Sequence, residues 1–317
     1  VRSGLRLLLA LFLSFAVSVG VLSPAAAQDD PTFTLGDFWE YAVDVRLDTL
    51  LGFGNVSGSL RATGETRAEV SAVAQDAATV SWTGDLDLQG RFTLPGETTE
   101  VALSGTIETT FEEQRRAPYF LPVAFDARAV VDGAITFIVT VPLAATLVVN
   151  ATVPPTAGSP TYPLEEGAQT FTTSGTVATN LSVDLLGMGF QNATVEEVPS
   201  TIRWNVTSFA MVEVPAGVFS GLRVAMEALT GFLPSPFYAL IPGATQVTHH
   251  SPSVGSPVLY QFLANGTEVG RASLETYAYA SSVPPPFWLN PLFLGGLLAV
   301  PIALLLFRYG RERRRGL

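Results

Sequence analysis

Residues able to do chemistry are few in this chain. Its two histidines, His249 and His250, are adjacent. Neighbouring residues of a strand point to opposite faces, so the pair cannot readily chelate one metal. No spaced set of further ligands accompanies either ring, and an ordinary edge or loop placement is expected. Paired carboxylates occur at Glu112-Glu113, Glu165-Glu166, Glu196-Glu197 and Asp85-x-Asp87. Adjacent acids suit solvated turns, whereas Asp85 and Asp87 would share one strand face and could contribute to a calcium site. No glycine-anchored calcium loop supports that, and no acid pair is marked out for glycoside hydrolysis. The chain has no cysteine. Disulfides, thiolate nucleophiles and cysteine metal sites are therefore excluded. Neither a nucleophile elbow nor a phosphate-cradling glycine motif is present. The reading is of a non-enzyme with no catalytic residue, no metal site and no cofactor.

One pattern is specific, and it concerns modification. Six of the seven asparagines, Asn55, Asn150, Asn180, Asn192, Asn205 and Asn265, stand in N-x-S/T with a non-proline middle residue. That tripeptide is the acceptor for N-linked glycans, which places such residues on the surface of an exported protein. Fortuitous sequons in a threonine-rich β protein are the competing explanation.

The ends of the chain support export. Arg2 and Arg6 precede an apolar run from about Leu7 to Leu22 and then Ala25-Ala26-Ala27. This order predicts a signal peptide over 1–27, the alternative being a retained first membrane helix. Residues 287–307 carry no charge and are long enough to cross a bilayer as a helix. Trp288 suits the outer interface, and the tail 308–317, with five arginines against one glutamate, is expected in the cytoplasm. Pro284-Pro285-Pro286 reads as a stiff spacer. The protein is thus expected in the plasma membrane as a single-pass chain, with residues 28–283 outside. Its expected partners are the bilayer, through that helix, and other envelope proteins or an apolar ligand. With two of the 17 basic residues in the leader and five in the tail, and one of the 28 acidic residues in the tail, the ectodomain carries a charge of about −17. Such a surface is a poor partner for nucleic acid. Sequons, absence of lysine and an Arg/Ala/Val-rich composition together point to an archaeal cell surface.

The elements that must carry these residues are strands. Apolar and polar residues alternate over 37–48, 67–75, 78–92, 99–113, 127–141, 144–153, 170–185, 200–214, 218–229, 257–263 and 268–280. Strands so closely spaced leave no room for helical crossovers, so the ectodomain is expected to be mainly antiparallel β, as a curved sheet, half-barrel or sandwich. Pro215-Ala216-Gly217 suits a three-residue hairpin loop closing on a glycine bulge, and Asn265-Gly266 a type I′ turn. Two proline-rich aromatic segments, 117–125 and 232–243, interrupt the strands. They either cap the ends of a sheet core, or form an apolar lip over a ligand, with Phe232, Phe237 and Tyr238, or rest on the membrane surface. Residues 154–167 are the candidate boundary between two sub-sheets.

Three stretches, 35-LGDFWEYAVDV-45, 213-EVPAGVFSGLRV-224 and 251-SPSVGSPVLYQFLANGTEVGRASLETY-277, resemble a group of exported β-domain proteins of archaea and bacteria that are described only as domains of unknown function. Gly36, Asp37, Trp39 and Tyr41 carry the G-D-x-W-x-Y pattern. Pro215, Ala216, Gly217 and Phe219 carry P-A-G-x-F, and Ser251, Gly255, Gly266 and the strand from Leu274 to Tyr277 complete it. The resemblance implies a curved antiparallel sheet or half-barrel and, through likeness to lipoprotein-carrier folds, an apolar concave face. The chain departs from the group in placing His249-His250 where an aromatic is commoner, and a membrane helix where a lipid anchor is usual. The expected function is that of a glycosylated surface protein with a binding or envelope-structural role. An apolar-ligand carrier is the alternative, and a carboxylate-dependent surface hydrolase the third.

Overall fold

A computed structural model of the chain describes residues 30–48, 57–93, 100–137, 139–156, 158–185, 187–235 and 243–280. The expected leader 1–27, spacer 284–286, helix 287–307 and tail 308–317 lie outside them, as do Asn55, Phe237 and Tyr238. No helix among the described residues is long and apolar enough to cross a membrane.

Twelve strands follow one another: β1 (Phe38–Arg46), β2 (Ser57–Val73), β3 (Ala77–Thr93), β4 (Glu100–Arg116), β5 (Ala124–Thr136), β6 (Thr140–Thr152), β7 (Gly167–Leu185), β8 (Met188–Val214), β9 (Gly217–Thr230), β10 (Thr245–His250), β11 (Pro257–Ala264) and β12 (Thr267–Ala278). Each pairs antiparallel with its sequence neighbours, and β1 also pairs with β12, so the sheet closes into a barrel. The antiparallel β expectation holds. The half-barrel and sandwich forms do not, because Phe38 to Val45 of β1 pair, across one bulge after Glu40, with Ala278 to Gly270 of β12 and remove the edge. Strands β6 and β7, on either side of 154–167, pair directly within the same sheet.

Alternation is the local cause. Along β1 the inward Trp39, Tyr41, Val43 and Val45 are buried while their neighbours are partly exposed, and β3 repeats this with Val80, Trp82, Leu86 and Leu88. The outward face carries Asp85, Asp87, Glu108, Glu112, Asp126, Arg128 and Asp132, all exposed. Polar outside and apolar inside is the reverse of the lipid-facing band of a membrane barrel.

The turns follow their residues. Asn265 (φ 50°) and Gly266 (φ 78°) make the expected two-residue loop between Ala264 and Thr267. The Pro215-Ala216-Gly217 hairpin joins β8 to β9 as expected but more tightly: Val214 pairs with Gly217, so the loop is Pro215-Ala216 alone. This hairpin reaches past the short β10, and its Ala216 N–H donates to the Leu274 carbonyl of β12 at 3.0 Å. Phe219 meets Tyr277 edge-on, at 6.2 Å between ring centres.

Eight strands enclose a lumen that side chains can just fill; twelve enclose more, and other parts must occupy it. At the end where the chain enters β1 and leaves β12, two loops do so. Segments 117–123 and 158–166 bond to each other through Phe120 N–H to the Pro160 carbonyl and Tyr162 N–H to the Pro118 carbonyl. They bury Phe120, Leu121, Tyr162 and Leu164 among Trp204, Leu222 and Met226 of β8 and β9. From the other side, 231–235 brings Leu233 into the same cluster, and Phe232 meets Phe125 at 6.3 Å. Toward the far end nothing equivalent fills the lumen among the described residues. There the inward Leu103, Val131, Leu143, Leu147, Leu181 and Val183 are only half-buried.

Candidate functional site

The densest polar chemistry lies inside the barrel, near its filled end. β4 places Glu112 and Glu113 on opposite faces, so that Glu112 is exposed whereas Glu113 is 1% exposed. The solvated-turn expectation for this pair is therefore wrong for Glu113. Two residues on, Arg115 points inward as well and closes an ion pair with Glu113, Nη2 to Oε1 at 2.7 Å and Nε to Oε1 at 2.8 Å. Trp82 Nε1 also donates to that oxygen at 3.4 Å. Burial alone works against the guanidinium charge, but Glu113 beside it, together with Tyr260 and Tyr162, more than offsets this and holds Arg115 above its ordinary range.

Aromatic hydroxyls surround the pair. Tyr41 Oη donates to the Pro257 carbonyl at 2.9 Å and lies 3.0 Å from Ser256 Oγ, and its ring stacks on Trp82 at 5.7 Å. Burial pushes the Tyr41, Tyr162 and Tyr260 hydroxyls well above the usual tyrosine range. All three stay protonated.

The histidines are the main departure from the sequence reading, since neither is at an edge or in a loop. Both are buried on β10, His250 inward and His249 outward, so their opposed directions hold. His250 Nε2 lies 2.9 Å from Thr248 Oγ1, and its ring meets Phe120 edge-on at 5.2 Å. Desolvation first, then Arg115 and His249, push the His250 pKa down to about 3. His249 packs against Phe209 at 5.1 Å and is lowered to about 4, chiefly by desolvation and then by Arg223. Its Nδ1, like Trp204 Nε1, is buried with no hydrogen-bond partner among the described residues.

Glu113, Arg115, Phe120, Gln246, Thr248 and His250 border a cavity of about 40 Å³. That volume accommodates water and falls far short of the several hundred Å³ of a ligand pocket. Arg115 also borders a cleft of about 290 Å³ with Phe33, Tyr119 and Arg116. The cations there are already matched, Arg115 with Glu113 and Arg116 with Asp76 at 3.1 Å. The arrangement is chemically suited to holding the barrel wall: a desolvated ion pair, neutral hydroxyls and neutral imidazoles.

The remaining sequence candidates lie elsewhere. Asn150, Asn180, Asn192, Asn205 and Asn265 are all exposed. Asp85 and Asp87 share the outer face of β3, as expected, and no group of acids or histidines that could hold a metal occurs among the described residues. Phe232 is no free rim residue: a Cβ built on Gly175 would fall 3.0 Å from its Cζ, so the ring lies against the β7 backbone.

The G-D-x-W-x-Y stretch gains a physical role. The Asp37 carboxylate accepts from Thr34 N–H and from Ala280 N–H, both at 2.8 Å, and Trp39 Nε1 donates to the Val254 carbonyl at 2.8 Å. Gly255 (φ 70°) lies so close to Tyr279 that a Cβ there would be 2.4 Å from the ring. All three quoted stretches therefore meet at the β1–β12 seam. Compared with known protein families, curated proteins and solved structures, the chain matches none.

Proposed function

We propose that this protein is a membrane-anchored, N-glycosylated surface barrel with a binding or envelope-structural role rather than a catalytic one. The observation that carries the reading is the placement of the sequons: every one of the five described acceptor asparagines is exposed, Asn150, Asn180 and Asn205 on the polar outer face, Asn265 in a hairpin turn and Asn192 on the lumen-side face of β8. A buried asparagine among them would have argued for coincidence. The buried titratable groups support the non-catalytic part of the reading, since both histidines are held neutral far below pH 7 and the inward one, His250, borders a cavity too small for a substrate. The test is glycopeptide mass spectrometry on the chain made in a host that modifies N-x-S/T. Occupied Asn150, Asn180, Asn192, Asn205 and Asn265 are expected, and bare asparagines at all five sink the reading.

A second reading, an apolar-ligand carrier, draws on the half-buried Leu103, Leu143, Leu147 and Leu181 toward the far end. Asn192 opposes it. Its side chain stands on the same face as Leu181, its partner across β7, so a glycan there would occupy the lumen side. Native mass spectrometry separates the two: a stoichiometric lipid-sized adduct, lost on Phe232→Ser without unfolding, would favour the carrier.

A further inference from the structure

Strand β8 is much longer than the partner on one of its sides. Its pairing with β7 runs from Met188 to Val206, but its pairing with β9 begins only at Thr201, opposite Thr230. From Met188 to Val198 the second edge of β8 has no strand beside it among the described residues. Both faces are open there: Met188 is 67%, Phe190 58% and Val195 73% exposed. An unpaired edge of this length is a template for another strand, and proteins that remain single blunt such edges with charge, proline or bulk.

The blunting devices are unevenly placed. Glu196, Glu197 and Pro199 guard the part nearer the barrel, whereas Met188 to Val195 holds no charge and no proline. Its one device is the sequon Asn192-Ala193-Thr194. No other described sequon is so placed. Asn150, Asn180 and Asn205 stand on strands paired on both sides, and Asn265 is in a hairpin turn.

We propose that the free edge of β8 from Met188 to Val198 is a self-association surface that takes the same edge of a second copy, and that a glycan on Asn192 keeps it closed. The inference rests on the glycoprotein reading above. The edge is self-complementary: antiparallel pairing centred on Thr194 sets Phe190 against Val198, Ala193 against Val195 and Asn192 against Glu196, with no like charges opposed. An ectodomain of about −17 otherwise repels its copies, whereas residues 188–195 of this edge carry no charge. A glycan on Asn192, between Phe190 and Thr194 on the lumen-side face, would fill the space a second hairpin needs.

The test uses the full chain, purified in a non-denaturing detergent from a glycosylating host. Mass is measured by light scattering and occupancy by glycopeptide mass spectrometry. Asn192→Gln and Thr194→Ala, which remove the sequon in different ways, are expected to double the protein mass; Asn205→Gln, which removes a glycan elsewhere, is expected to stay single. Thr194→Lys, which removes the sequon and also sets a lysine directly against its copy at the centre of the pair, should stay single. Occupied Asn192 in the parent with a single Asn192→Gln protein overturns this proposal and leaves the glycoprotein reading intact. Bare asparagines at all five sequons overturn that reading itself, and a bare Asn192 in a single parent removes the glycan's role.

Discussion

Acid should weaken this barrel through its two buried imidazoles, most of all through His250. His250 is 3% exposed, bonded to Thr248, covered by Phe120 and faced by Arg115, and its pKa is down at about 3. An unfolded histidine titrates near 6.5, so between that value and about 3 the unfolded chain binds a proton that the folded chain refuses. The stabilisation is complete above about pH 6.5 and is lost as pH falls. At about 1.4 kcal/mol per pH unit, lowering the pH from 6.5 to 4.5 costs about 3 kcal/mol. That is a large fraction of the ~5–15 kcal/mol that holds a typical domain together. Asp44, whose carboxyl Arg61 holds below the usual range, loses its contribution only at more acid pH. The assay is denaturant unfolding at steps between pH 7.5 and 4.5, on the parent and on His250→Gln, which can keep the Thr248 bond but cannot titrate. The parent should lose about 3 kcal/mol more than the variant across this range. Parallel curves for the two proteins would refute the argument, whatever their absolute stabilities.

Three further outcomes are expected. Glu113→Gln leaves the Arg115 charge half-buried without its counter-ion and should cost about 3–5 kcal/mol in the same assay, whereas Glu113→Leu with Arg115→Met should recover most of that loss. Asp37→Ala strips the acceptor from two main-chain N–H groups at the seam and should cost about 1–3 kcal/mol, with faster amide exchange at Thr34 and Ala280 than elsewhere. Gly255→Ala combines a left-handed backbone with a clash on Tyr279 and should lower the midpoint of thermal unfolding by more than Gly266→Ala, where a Cβ meets nothing within 4 Å.

Much of the wall is legible in the residues themselves. Alternation over 78–92 or 170–185 reports a strand with one dry face, because side chains of a pleated chain point to alternate sides. Asn265-Gly266 reports its turn through the left-handed conformations the two residues tolerate. The sequons report themselves by spacing alone. Where alternation fails, so does the reading. The strand Thr245–His250 is buried on both faces after its first residue, so it lacks the half-wet pattern that marks a strand. The outer halves of β2 and β8 escaped for the opposite reason: 57–66 and 188–199 mix glycine, polar and small residues without a strict apolar repeat.

Closure and the interior were decided only in three dimensions. A sheet of twelve similar strands can end in two edges or none, and the choice rests on whether β1 meets β12. That depends on accumulated twist, and on contacts such as Asp37 with Ala280 across 243 residues of chain, which no local pattern reports. The same holds for Glu113. Its sequence neighbourhood reads as a solvated acidic pair; Arg115 lies two residues on and Trp82 on the paired β3, but only the closed barrel brings the β10 histidine across to them and shuts out water. By itself the amino-acid order determined which faces are dry, where the chain turns and which asparagines stand in N-x-S/T tripeptides, because these follow from the chain within a few residues. The tertiary structure decided which edges are paired, what fills the lumen and which polar groups lose their water, because those are set by partners far apart in the chain.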